Sequence, residues 1–219
     1  MDVHVLSNSC MINIMRNSKS TKPNARTAAK EASHERIVSV AARAIRRSGY
    51  DGTGVADIMK EAGLTHGGFY AHFASREAML AEAATRACAD SAAVVAGVAA
   101  SAPPEEALAT MLRTYLSREH LEQVELGCPL VALGSETARQ APEVRRATTR
   151  HVKEMIDLVA RQSPDWGQPG AHERALVTAA TMVGTLLLAR VVDEPALADS
   201  LCEAAIKHLT PVPVPTPAS

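Results

Sequence analysis

The stretch SGYDGTGVADIMKEAGLTHGGFYAHFASREAML, residues 48–80, decides how the rest of the chain is read. Val55, Ile58, Met59 and Ala62 recur at helical spacing and stop at Gly63, which accepts the left-handed backbone that closes a helix. A second, very short helical unit runs from Thr65 to Phe73, with Thr65 placed to cap it. Two short helices joined by Ala62-Gly63-Leu64-Thr65 have the geometry of a helix-turn-helix. Upstream, Ile37, Val40, Ala41, Ala44 and Ile45 form another stripe, ended by Gly49. Val55, Ile58, Leu64, Phe69 and Phe73 can pack the unit onto that helix. Four of the six aromatic residues (Tyr50, Phe69, Tyr70, Phe73) fall between 50 and 73 and are expected to fasten this small domain.

The second short helix carries Gly67 and Gly68 in its first turn, each costing about 1 kcal/mol relative to Ala. A purely structural helix gains nothing from them. They make sense where the backbone must approach another surface, here the major groove of DNA, with side chains out of the way. The free N–H groups of a helix start can also meet phosphate.

Charge points the same way. Between Arg16 and Tyr50 nine basic residues face only Glu31 and Glu35, a local +7, while the rest of the chain carries −8. One basic end on an acidic body suggests a polyanion-binding surface, although a solvated helix face has the same composition. The composition, 47% hydrophobic and 21% charged, is that of a globular chain. No run approaches the roughly 18 apolar residues of a membrane span, and no secretory signal is evident, so a cytoplasmic location is expected. Cys10, Cys88, Cys128 and Cys202 form no CxxC pair and read as separate thiols.

Outside residues 48–80 the pattern is helical almost throughout, with no strand alternation, so the fold is expected to be all-α. Residues 1–26 read as a disordered basic arm, 27–74 as a three-helix DNA-binding domain, 75–210 as a helical effector-binding and dimerisation domain, and 211–219 as a disordered proline-rich tail. Ser75 caps a long Ala-rich helix reaching about Ala100. Pro104 opens a helix with Leu108, Met111, Leu112 and Tyr115; a break at Gly127-Cys128-Pro129 leads to a short segment ending near Gln140. Pro142 opens a helix whose apolar face is read as Val144, Thr148, Val152, Met155 and Val159. Two last helices, roughly His172–Val192 and Pro195–Leu209, present Ala179, Ala180, Val183, Leu186 and Leu187, then Leu197, Leu201, Ala204 and Ala205. Such stripes suit a four-helix bundle across a two-fold axis.

Taken together, Gly49-Tyr50, Thr53, Ile58, Ala62-Gly63-Leu64-Thr65, Phe69-Tyr70-Ala71-His72-Phe73 and Arg76-Glu77 resemble the DNA-binding domain of the TetR family of repressors over roughly residues 30–80. The chain departs from that pattern at Gly54, where the family often has Ser or Thr, and at Arg76, where Lys is commoner. The resemblance implies a homodimer on a double-stranded DNA operator. It implies that Thr53, Tyr70, His72 and Arg76 touch phosphates and that Thr65, His66, Gly67 and Gly68 face base edges, a division in which phosphates fix register and bases specify. Arg16, Lys19, Lys22 and Arg26 of the arm are candidates for added contacts.

The resemblance further implies a small-molecule effector pocket among the central helices. Met111, Tyr115, Met155 and Trp166 are the candidate lining residues, and the lack of a charged cluster favours a mostly apolar effector. An alternative is a redox or electrophile sensor using Cys128, whose thiol sits near an expected helix start. Architectural DNA binding without an effector is the third reading. Enzyme readings fail on their own motifs. His66-Gly67-Gly68-Phe69 superficially resembles an esterase oxyanion loop, but no GxSxG elbow accompanies it. Gly52-Thr53-Gly54 lacks the third glycine of a dinucleotide fingerprint. No metal or cofactor is expected.

Overall fold

The computed structural model describes residues 25–210, all of whose regular elements are helical. The proposed arm residues Arg16, Lys19 and Lys22, and the proline-rich tail, lie outside them. The first helix, α1 (Ala25–Ser48), already includes Ala25 and Arg26, assigned above to the arm. It buries Ile37, Val38, Ala41, Ala42 and Ile45 along one face. Gly49 ends it at φ +75°, its N–H donating to Ile45 O at 2.8 Å.

Helix α2 (Val55–Glu61) follows and closes on Gly63 at φ +71°. There the Gly63 N–H donates to Lys60 O and the Leu64 N–H to Met59 O, the paired bonds that satisfy orphan carbonyls at a left-handed helix end. The next unit is a 3₁₀ turn, His66–Ala71. Its N-cap residue, Thr65, is extended, but the hydroxyl makes no capping bond, contrary to the sequence expectation. Ser75 does cap, accepting from Ala78 N at 3.1 Å, and opens α3 (Arg76–Ser101), the longest helix among the described residues.

The second half contains α4 (Ala107–Tyr115), α5 (Arg118–Glu122), α6 (Pro129–Thr137), α7 (Pro142–Gln162), α8 (Ala171–Val191) and α9 (Pro195–Leu209). Helix α5 has no counterpart in the sequence reading: five residues are too few to show a period, and only its cap, Ser117 accepting from His120 N, marks it. On α7 the buried stripe is Val144, Ala147, His151, Met155 and Val159. Thr148 and Val152 are only half-buried, so the expected face was rotated by about one position. Helix α8 is long and apolar enough, by length and composition, to cross a membrane, which the sequence reading had denied to every segment. Its Ala175, Ala179, Met182, Leu186 and Ala189 pack instead into the core shared with α7 and α9.

Two apolar clusters hold the chain. One gathers α1, α2, the 3₁₀ turn and the start of α3 around Tyr50, Ile58, Met59, Phe69, Phe73 and Met79, and it recruits Leu133, Val144 and Ala147 from α6 and α7. The other joins α4, α6, α7, α8 and α9 around Met111, Leu112, Tyr115, Val159, Met182 and Leu186. Helix α3 belongs to the head at its start and packs along α4 and α7 further on.

Buried polar groups tie the head to the body. The Glu136 carboxylate of α6 accepts the Tyr50 N–H at 2.9 Å and fills the space a Cβ at Gly49 would need. Arg46, 3% exposed, donates from Nη1 to Ala87 O of α3 at 3.3 Å and to Gly127 O at 3.4 Å. Burial lowers its pKa, and Asp90 opposes that shift. Replacing Arg46 with Met should remove both hydrogen bonds and the Asp90 ion pair and lower stability by about 2 kcal/mol in urea unfolding. Unchanged unfolding would show that Arg46 does not bind the two halves together.

Candidate functional site

The 3₁₀ turn and its flanks form one exposed surface. Thr65, His66 and Gly67 are exposed, Gly68 is half-buried, and Tyr70 projects with 76% of its surface accessible. Phe69 is the anchor behind them, stacked on Phe73 at 5.5 Å and edge-on to Tyr70 at 5.2 Å. His34 of α1 stacks on Phe73 at 4.6 Å and meets Glu82 of α3 at 2.7 Å, so α1 and α3 together clamp the turn.

The two glycines of this turn have no internal reason to be glycine. Neither adopts a positive φ among the described residues. A Cβ at Gly67 would meet nothing within 4 Å, and one at Gly68 would make only ordinary contact with Met59 and Thr65. By contrast, Gly49 and Gly63 are dictated by backbone conformation. A bare backbone exposed to solvent and unexplained by the fold is what close approach to an external surface requires.

Comparison with known proteins identifies the family to which this fold belongs. Residues 37–83 match the bacterial regulatory proteins of the tetR family. An uncharacterized HTH-type transcriptional regulator of Mycobacterium tuberculosis strain H37Rv is 30% identical over 166 residues, spanning 72% of this chain and 84% of that protein. The chain belongs to the TetR family of transcriptional regulators. The HTH-type transcriptional regulator LmrA of Bacillus subtilis is 27% identical over 160 residues, 71% of this chain and 85% of LmrA. Among solved structures, a TetR transcriptional regulator from Chloroflexus aurantiacus superposes with a TM-score of 0.69 at 26% identity, over 84% of this chain and 94% of that one.

Within this TetR-family head, the side chains expected at phosphates are not all on the surface. Tyr70 is fully available. His72 is half-buried, with Nδ1 enclosed and without a partner, and burial lowers its pKa with help from His34 and Lys30. Thr53 is turned inward: it is 4% exposed and its hydroxyl donates to Gly49 O at 2.7 Å. The Arg76 guanidinium donates from Nη2 to Tyr50 O and to Thr53 O, bracing the turn between α1 and α2. Both residues thus hold the head's own loop. The basic cluster on α1 is also partly consumed within the protein. Arg46 is buried, Arg43 and Arg47 pair with Glu61, and Arg47 also reaches Glu125 at 3.0 Å. These partners are too far along the chain for local charge counting to find.

The body contains two adjoining chambers that share Ser91, Val95 and Tyr115 in their linings. The larger, about 240 Å³, is bounded by α3, α4 and α5, with Met111, Tyr115, His120 and Val98 among its walls. The smaller, about 20 Å³, is bounded by Tyr115, His151, Met155 and Met182. Of the four expected lining residues, Met111, Tyr115 and Met155 are here. Trp166 is not: it lies in the turn between α7 and α8, 56% exposed, because the Pro164–Pro169 loop runs outside the bundle. His120 and His151 were not singled out from sequence, although His151 on an otherwise apolar stripe was a readable signal.

Cys128, at the N-cap of α6, is completely buried. Cys88 and Cys202 are buried free thiols as well, and burial pushes the Cys88 thiol up to about 12. The Cys128 N–H donates to His120 Nε2 at 3.1 Å, while His120 Nδ1 is 2.7 Å from Tyr115 O. This geometry fixes His120 as a neutral imidazole with its proton on Nδ1. Burial lowers the pKa of both His120 and His151.

Because the folded state disfavours protonation of these two histidines, the unfolded chain binds more protons as acidity rises. Their contribution is complete above about pH 6.5, the ordinary histidine value, and is lost as pH falls from there through the depressed folded values. Thermal unfolding from pH 8 to 5 should show a falling midpoint below that value. His151→Gln should flatten the fall; an identical profile would remove His151 from the cause.

Proposed function

We propose that this TetR-family regulator is a homodimeric repressor, held on an approximately palindromic operator by its 3₁₀ turn and released by a small, mostly apolar effector in the body. The observation that carries the DNA reading is the pair Gly67, exposed, and Gly68, half-buried, a bare backbone that neither conformation nor packing of the protein demands. Thr65, His66, Gly67 and Gly68 would face base edges, and Tyr70 and His72 the phosphates. Thr53 and Arg76 would contribute by holding the loop before α2.

The dimer reading is supported by the outer face of α8. Val177, Leu187, Leu188 and Val191 are all exposed, and Ala180 and Gly184 lie between them at helical spacing. Leu197 of α9 extends the surface. A second copy laid on this face covers apolar area that one chain leaves in water.

The effector reading is supported by the two chambers and by what their walls touch. His120 of the larger chamber holds the N–H of Cys128, and the adjacent Gly127 carbonyl accepts from Arg46 of α1. A ligand that displaces α5 therefore loads a hydrogen-bonded path to the DNA-binding head. Oxidation at Cys128 is the second reading. In its favour, Arg46 and Arg190 are near enough to feel charge on its sulfur; full burial works against it.

Gly67→Ala separates DNA contact from fold. It should raise thermal stability by roughly 0.5–1 kcal/mol while weakening operator binding at least tenfold in a fluorescence titration. Tyr70→Ala should weaken binding to all duplexes alike and leave the salt dependence nearly unchanged, since an uncharged hydroxyl releases no counterion. Full affinity in both variants would sink the interface. For the dimer, Leu188→Glu should give monomer or aggregate in analytical ultracentrifugation, and a monomeric parent protein at micromolar concentration would contradict the reading.

A further inference from the structure

Tyr115 and His151 are each 3% exposed, and the Tyr115 hydroxyl and both His151 ring nitrogens have no hydrogen-bond partner. Both residues wall the smaller chamber, and Tyr115 walls the larger one too. The Cys128 thiol beside Tyr115 helps raise its pKa through charge and a weak sulfur contact, which leaves the hydroxyl without a nitrogen or oxygen partner. A buried polar group left unmet costs about 1–3 kcal/mol, and most such groups in proteins are paired. Phe and Leu would fill the same space without that cost. Two orphaned polar residues on one cavity wall therefore point to something that enters and meets them.

Charge and proton inventory narrow what that is. Burial holds the Tyr115 phenol well above its ordinary value, so it stays a protonated donor. Burial likewise keeps the His151 imidazole neutral, with Glu154 only partly opposing, so it offers one N–H and one lone pair. No lysine or arginine lines either chamber, whereas Glu119 and Glu154 do, both at exposed positions. Arg190, whose charge Tyr115 feels, donates from Nε and Nη2 to the carbonyls of Leu121 and His120 and keeps Nη1 buried without a partner, but it is outside both linings. A carboxylate entering either chamber would therefore meet no cation in its walls. An ammonium would leave water for partners that are neutral where they are buried. A head that only accepts could pair the Tyr115 phenol but has no proton to give to the lone pair of His151.

We propose that the effector carries an uncharged hydroxyl, as an alcohol or phenol, on an apolar body, and that Tyr115 and His151 hold that hydroxyl. The inference rests on the cavity being the effector site. The hydroxyl accepts from the Tyr115 phenol and donates to a His151 nitrogen, while Val94, Val95, Val98 and Met111 line the chamber for the apolar part.

Calorimetric titration of the full-length protein with octanol, octanoate, octylamine and methyl octyl ether tests it. Octanol should bind at least tenfold more tightly than the other three, since a site built to pair a hydroxyl rejects analogues that leave its polar groups unmet. Tyr115→Phe should weaken octanol and the ether alike, whereas His151→Leu should weaken octanol about tenfold and leave the ether nearly unchanged. A merely structural role would move all probes together or none. Octanoate or octylamine binding as well as octanol, or octanol insensitive to both variants, would overturn the hydroxyl assignment while leaving the cavity as a binding site. Failure of all four probes to bind would overturn the cavity reading and this inference with it.

Discussion

The buried guanidinium of Arg46 is the constraint on which the two halves of the protein depend. It leaves α1 from a face that is otherwise apolar and ends among backbone carbonyls of α3 and of the turn before α6. An arginine buried to this degree must find acceptors or destabilise its surroundings, so the carbonyls of Ala87 and Gly127 fix where α1 lies against the body. Glu136 does the same from the other side by accepting the Tyr50 N–H. With both ends of that contact polar and directional, the head cannot slide on the body as a purely greasy interface would allow.

That fixed seat gives meaning to small features on either side of it. On the head, α2 and the 3₁₀ turn are short elements that cannot be stable alone; the aromatic wedge of Tyr50, Phe69 and Phe73 and the clamp by His34 and Glu82 supply their order. The residues spent on bracing, Thr53 and Arg76 among them, are what leave the glycine-bearing turn free to face outward. On the body, the neutral His120 stands between the chamber wall and the turn that Arg46 grips. Chamber, turn and α1 are therefore joined by hydrogen bonds with defined donors.

Much of this was legible in the chain itself. The helix ends at Gly49 and Gly63, the capping by Ser75 and the proline starts of α6, α7 and α9 are local events, set by backbone conformations that those residue types prefer. The glycine pair at 67 and 68 was readable as an anomaly for the same reason, since helix propensity is local. Met111, Tyr115 and Met155 were chosen by side-chain size for a pocket that the family resemblance implied, and they line the two chambers; Trp166 was misplaced because a large aromatic in a proline-bounded loop has no period to say which way it faces.

Sequence by itself determined the all-helical class and the position of the helix-turn-helix, because these follow from spacing over a few turns. Tertiary structure alone decided which charges are spent internally. Arg43 and Arg47 look like part of a basic surface until Glu61 and Glu125 are folded against them, and Arg76 looks like a phosphate ligand until it meets the Tyr50 carbonyl. It alone decided that Cys128 is sealed from solvent and that Tyr115 and His151, 36 positions apart, share one cavity wall. Electrostatic pairing and burial depend on distance in space, and for residues on different helices that distance is set by packing, which no local pattern records.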